Sequence, residues 1–168
     1  RSLVGSEMCI RDRSTRPGST YVEIEEEISR VVPVIKELKT MTDVPLSIDT
    51  WKADVAQAAI EAGVDFVNDI TGFMGDPKMA EVVGKSDVGA ILMFNPKIAR
   101  PKHKSSANFP SFGGEGAFTD EELKSFEDMD IVEVMKKYLG KSLERAEKNG
   151  ISSCLLYTSD AADDSLRV

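Results

Sequence analysis

Val44-Pro45-Leu46-Ser47-Ile48-Asp49, Val64-Asp65-Phe66-Val67-Asn68-Asp69 and Val88-Gly89-Ala90-Ile91-Leu92-Met93-Phe94 are three short apolar runs, the first two ending in polar groups. Each has the length of a strand. A helical pattern from Ala53 to Ala62 separates the first two, and Gly63 closes it, the residue best suited to a left-handed helix end. Between the second and third, Asp76-Pro77 places a cap residue before a proline at the first helical position, which predicts another helix. Strand, helix, strand, helix, strand predicts an α/β fold with a parallel sheet.

Upstream, Ser14-Thr15-Arg16-Pro17-Gly18-Ser19-Thr20 is loop chemistry with Pro-Gly as its turn. Val22, Ile24, Ile28, Val31, Val32, Ile35 and Leu38 then recur at helical spacing, with Glu23, Glu25, Glu26 and Glu27 near the positive end of the helix dipole. Pro33 falls inside that pattern and predicts a kink. Downstream, Asn95 to Phe118 reads as one long irregular stretch rich in Pro, Gly, Ser and Lys, a kind of segment that is usually functional. Thr119-Asp120-Glu121-Glu122 reads as a capping box. Helix follows to about Asn149 with a break near Met129, and Gly150 closes it.

The chain has 168 residues, 21 basic and 29 acidic, and a net charge of −8. A chain of this length buries roughly two-thirds of its unfolded surface, enough for a real core. It contains no apolar run of the about 18 residues that would span a membrane. The acidic balance argues against binding the phosphate backbone of nucleic acids, which needs clustered Lys and Arg. Two cysteines, Cys9 and Cys154, make neither a disulfide framework nor a zinc site. A cytoplasmic globular domain is the expectation.

The ends read differently from the middle. Met8-Cys9-Ile10-Arg11-Asp12, with the flanking bases of Glu7 and Arg13, can be encoded by AGATGTGTATAAGAGACAG. The reverse complement of those about nineteen bases, read one base in, encodes Cys-Leu-Leu-Tyr-Thr-Ser, which is Cys154 to Ser159. Such an inverted repeat looks like a transposon-end adapter from a sequencing library. Residues 1–13 and 154–168 are therefore expected to be adapter-derived and outside the fold, leaving 14–153 as the natural segment. That segment holds 17 basic and 24 acidic residues, a net charge of −7, and no cysteine.

In parallel α/β folds, ligands gather at the carboxyl ends of the strands. Asp49 and Thr50, Asn68 and Asp69, and Phe94 and Asn95 stand there. A carboxylate and a carboxamide at one mouth suit a flat heterocycle, since Asp accepts from ring N–H and amino groups while Asn both donates and accepts. The same residues also cap turns and helices, and spacing alone leaves both roles open. His103, the only histidine, lies between Lys102 and Lys104 and lacks companion metal ligands. Gly113-Gly114-Glu115-Gly116 neither follows a strand nor opens a helix, so it is not a phosphate cradle. Lys97, Arg100, Lys102 and Lys104 read as a solvated basic loop, and Trp51 and Phe73 as packing residues.

Taken together, these motifs resemble the dihydropteroate synthase family, the folate-pathway branch of the pterin-binding TIM barrels. Ser14-Thr15-Arg16-Pro17-Gly18 is similar to the loop after its second strand. Ser47-Ile48-Asp49-Thr50-Trp51-Lys52 is similar to its third-strand motif, with Trp51 where Tyr or Phe is usual. Val67-Asn68-Asp69-Ile70-Thr71-Gly72 and Asp76-Pro77-Lys78-Met79 are similar to the fourth strand and its helix. Arg13 departs from the usual Glu, and Phe94-Asn95-Pro96 stands where many members carry His.

The resemblance implies a partial (β/α)8 barrel holding the third to fifth strands. Its implied chemistry joins 6-hydroxymethyl-7,8-dihydropterin diphosphate to p-aminobenzoate, with magnesium assisting departure of the diphosphate. It implies that Thr15 contacts the pterin diphosphate, that Arg16 and Pro17 help form the p-aminobenzoate site, and that Asp49 and Asn68 hold the pterin ring. The magnesium ligand of the family sits on its first strand, which this reading does not find here. A homodimer is implied for the full-length protein, and an inactive polypeptide for this chain alone. Two alternatives stand beside this reading. One is a pterin-binding methyltransferase acting on methyltetrahydrofolate, against which Ser-Thr-Arg-Pro-Gly argues. The other is a non-catalytic α/β interaction module.

Overall fold

The computed structural model describes residues 8–11, 21–106, 112–151 and 156–158. Its centre is a parallel sheet of five short strands in the order of the chain: β1 (Met8–Ile10), β2 (Leu46–Asp49), β3 (Phe66–Asp69), β4 (Gly89–Leu92) and β5 (Leu156–Thr158). β2, β3 and β4 are the three runs read in the sequence. Between successive strands run α1 (Ile24–Met41), α2 (Ala53–Ala62) and α3 (Met79–Gly84), then α4 (Pro96–Ala99), α5 (Asp120–Glu127) and α6 (Ile131–Lys148) after β4.

The two edge strands depart from expectation. They come from residues 1–13 and 154–168, which the sequence places outside the fold: Met8–Ile10 pairs with Leu46–Ile48, and Leu156–Thr158 pairs with Ala90–Leu92. The physical reason is the raw edge: β2 and β4 would otherwise present unpaired N–H and C=O groups. Met-Cys-Ile and Leu-Tyr-Thr are short, uncharged and mostly of strand-favouring types, so they can supply those bonds.

Strand side chains alternate between two faces. Ile48, Val67 and Ala90 lie in one register row and are fully buried, as are Leu46 and Leu92. They face the helices, where Val31 and Ile35 of α1, Val55, Ala56 and Ala59 of α2 and Val83 of α3 complete one core. The opposite face carries Ser47, Asp49, Phe66, Asn68 and Ile91. A second core forms where α4, α5 and α6 meet: Met74, Ile98, Phe118, Phe126 and Val134 gather about Tyr138. Tyr138 meets Phe94 edge-on at 5.1 Å and Phe118 at 5.4 Å.

Local signals mostly hold. Gly63 ends α2 at φ 105°, donating to the carbonyls of Ala59 and Ile60. The capping box is formed, with Glu122 N donating to Thr119 Oγ1 at 3.2 Å and Thr119 N donating to Glu122 Oε2 at 2.7 Å. The break between α5 and α6 falls at residues 128–130, and Asp130 caps the second helix.

α1 is a single helix of 18 residues with Pro33 inside it. Three readings are corrected. Asp76 does not open α3, which begins at Met79; its carboxylate closes a turn at Lys78 N and caps α2 through Ala53 N. The stretch from Asn95 is not irregular throughout, since Asn95 caps the short α4 through Lys97 N and Ile98 N. Arg100 is no solvated cation: it is buried, and its guanidinium donates to the carbonyls of Phe126 and Met129. His103 is half-buried.

Candidate functional site

The carboxyl ends of β2, β3 and β4 converge on one mouth. Asp49 and Asn68 are register partners, and Thr50 N donates to Asn68 O at 3.1 Å. Because Ile48 and Val67 turn toward the helices, Asp49 and Asn68 both turn to the opposite face. The structure therefore brings together two of the residues that the sequence singled out. Thr15, Arg16 and Pro17 lie outside the described residues.

Asn68 Oδ1 is buried with no hydrogen-bond partner, and so is Ser47 Oγ, on the same face two residues before Asp49. Asp49 Oδ2 is buried too, and its partner is the Arg11 guanidinium. Most buried polar groups are satisfied, so two open atoms flanking Asp49 on one face are unusual. Burial pushes the Asp49 carboxyl above its ordinary value; Arg11 draws it partway back, and Glu27 adds to the rise.

Asp69 is different, although it ends the same motif. Its Oδ1 accepts from Thr71 N at 2.8 Å and Thr71 Oγ1 at 2.6 Å, while Oδ2 accepts from Phe73 N at 2.8 Å. The carboxylate is spent on shaping the turn at 69–73, where Gly72 and Phe73 take φ 55° and 66°. Burial outweighs those three bonds and pushes Asp69 up to about 6. Helix α6 pins the same turn. Tyr138 Oη donates to Thr71 O at 2.6 Å, and Arg145 donates to Phe73 O. The Tyr138 phenol is held well above its ordinary value by burial and the nearby Asp69.

Sequence reasoning missed a buried ion pair beside the mouth. Lys52 Nζ lies 2.6 Å from Glu27 Oε2, with side chains 3% and 4% exposed. Lys52 also donates to Val22 O and sits 4.4 Å over the Tyr21 ring, and Thr50 Oγ1 donates to Glu27. The pair joins the end of β2 to the start of α1. Glu27 stands four and eight residues before Val31 and Ile35, on the buried face of α1, and that spacing is the signal that sets it apart from its neighbouring glutamates. Arg11 was missed for another reason: it lay in a segment set outside the fold.

A magnesium ion needs several converging oxygen donors. Among the described residues no group of three His, Cys, Asp or Glu is placed to hold an ion. Asp69 is occupied by backbone N–H groups and Asp49 by Arg11, so these residues do not fit magnesium. Nor, among the described residues, is any helix long and apolar enough to cross a membrane.

A half-barrel of parallel strands, with a buried carboxylate and an open amide oxygen at the carboxyl ends of two neighbouring strands, defines a class. The family model for pterin binding enzymes matches residues 10–157, and the chain belongs to that family. Over 82 residues the chain is 57% identical to the dihydropteroate synthase of Clostridium beijerinckii, a match that covers 49% of this chain and 30% of that protein. The crystal structure of dihydropteroate synthase from Clostridium difficile in the presence of pteroic acid superposes with a TM-score of 0.71 at 35% identity, over 91% of this chain and 48% of that one. The Xanthomonas albilineans dihydropteroate synthase with 4-aminobenzoic acid gives 0.68 at 31%, over 91% and 46%. The chain thus spans less than half the length of these relatives. The likeness to solved barrels also agrees with the partial (β/α)8 architecture expected of the sequence.

Proposed function

We propose that this chain is the pterin-recognising part of a dihydropteroate synthase, the enzyme that joins a dihydropterin diphosphate to p-aminobenzoate. In that reaction the aniline nitrogen attacks the exocyclic methylene carbon, the C–O bond to diphosphate breaks, and the nitrogen loses a proton. Asp49 accepts from the ring N–H and exocyclic amino group of the pterin, and Asn68 pairs with the adjoining edge. Thr15 contacts the diphosphate, and Arg16 and Pro17 border the p-aminobenzoate. The observation that carries the reading is a buried carboxylate and a buried amide oxygen side by side on neighbouring strands: Asn68 Oδ1 has no hydrogen-bond partner, and Asp49 Oδ2 meets only the Arg11 guanidinium. A ligand edge rich in N–H donors would satisfy both.

Magnesium belongs to the same reading as an aid to diphosphate departure, with no residue of this chain assigned to it. A homodimer and a cytoplasmic location for the full-length protein belong to it too. Residues 1–13 and 154–168 are read as adapter-derived, on the strength of their reverse-complementary coding. The flanking genomic DNA, read without adapters, tests this. Natural codons continuing through Met8–Asp12 would overturn it.

The function is tested by titrating the chain with 6-hydroxymethylpterin and following its fluorescence. Saturable binding that Asp49→Ala abolishes, and that Asn68→Ala weakens about tenfold or more, is expected. Binding indifferent to Asp49 would overturn the assignment.

A further inference from the structure

Lys52 and Glu27 form a buried ion pair that none of the ligand contacts proposed above uses. It ties together two pieces of chain that those contacts do use. On one side, Lys52 follows Asp49 by three residues. Thr50 Oγ1, between them, donates to Glu27 Oε1 and accepts from Lys52 N, each at 3.3 Å. On the other side, Lys52 Nζ donates to Val22 O and stands 4.4 Å over the Tyr21 ring. Tyr21 and Val22 come directly after residues 14–20, the stretch that holds Thr15. A buried ion pair is a poor source of stability, because an apolar pair of the same volume does about as well. It is a good source of direction: an ammonium carries three donors, and here they hold a carboxylate of α1 and a backbone carbonyl at once.

We propose that Lys52 is a positioning residue, which holds the chain at Val22 in register with Asp49 so that one ligand meets its ring site and its diphosphate site together. This inference rests on the assignment of Asp49 to the ring and Thr15 to the diphosphate. Ring and diphosphate are joined through a single methylene carbon, so the second contact adds affinity only where its protein partner is already in place. Releasing Val22 costs that added affinity and leaves the ring contacts as they are. A residue that served stability alone would change both or neither.

The experiment titrates the chain with 6-hydroxymethylpterin and with its diphosphate, and reads the ratio of the two dissociation constants. The main variant is Glu27→Leu with Lys52→Met, which leaves no buried charge behind. Glu27→Gln with Lys52→Met, which keeps a polar partner for Thr50, stands in should the first lose its helices by far-ultraviolet dichroism. Glu27→Gln alone keeps the Lys52 hold on Val22. The parent is expected to bind the diphosphate about tenfold or more tightly than the alcohol, the range of a charge-assisted hydrogen bond. Glu27→Gln should keep that ratio within about threefold. In the double variants the ratio should fall to about one, with affinity for the alcohol within about threefold of the parent. A double variant that keeps the parent's ratio overturns the inference, as does one that loses affinity for both ligands equally. So does a parent that binds the two ligands alike, or a Glu27→Gln variant whose ratio falls to one. Each of these leaves the proposed function standing while Asp49→Ala still abolishes ring binding. No saturable binding of either ligand overturns the pterin reading, and the positioning role with it.

Discussion

Replacing Lys52 by Met leaves Glu27 as a lone carboxylate in a wall of protein. The two charges lie 2.6 Å apart. At an effective dielectric of about 20 their attraction is about 6 kcal/mol, against which stands the cost of drying both ions. Once Lys52 is gone, Glu27 keeps the Thr50 hydroxyl, at 3.3 Å a weak bond. The expected loss of folding free energy for Lys52→Met is about 3–5 kcal/mol, the range for an orphaned buried charge. Glu27→Leu is expected to lose less, about 2–3 kcal/mol, because the ammonium keeps the Val22 carbonyl and the Tyr21 ring. The double variant removes both charges and fills the volume with apolar atoms, so it should be within about 2 kcal/mol of the parent. The assay is urea unfolding of all four chains followed by far-ultraviolet dichroism, combined as a double-mutant cycle. A coupling of about 3 kcal/mol or more is expected. Single losses that add to within about 0.5 kcal/mol would refute the reasoning, because the two groups would then be energetically independent.

Asp69 should make stability depend on pH. Its pKa lies at about 6 in the folded chain against an ordinary value of 3.8, so between those limits the folded state holds more proton than the unfolded one. The contribution of Asp69 is therefore fully present below pH 4 and is lost as pH rises through 6, a change of about 3 kcal/mol. Urea unfolding of the parent and Asp69→Asn at pH 4 and pH 7 should show a difference that changes by that order, and a difference independent of pH would refute it. Gly72→Ala should be destabilising, because a Cβ there would lie 2.7 Å from Met93 O and 2.9 Å from Ser142 Oγ, on a backbone at φ 55°. A loss of about 2–4 kcal/mol is expected by thermal melting, and a change below about 0.5 kcal/mol would show that the turn adapts freely.

What the sequence determined by itself was local. The period of the apolar residues gave strands and helices in their order. Gly63 closed α2, Thr119 and Glu122 formed their box, and Asp49 and Asn68 stood at strand ends, because each of these depends on neighbours within a few residues. Pro33 does not divide α1, which is packed onto the sheet and α2 along its length.

Tertiary structure decided the rest. Asn68 and Asp69 are adjacent and chemically alike, yet the pleat turns one into the mouth and the other toward the helices, where a backbone turn consumes it. Lys52 finds Glu27 across 25 positions of chain, and Arg100 reaches Phe126 across 26. No local pattern encodes such pairings, for they exist only once the sheet and helices have assembled. The edge strands make the same point most plainly. Short peptides read as foreign to the fold were taken into it, because an open sheet edge selects for hydrogen-bonding backbone and asks little of the sequence that supplies it.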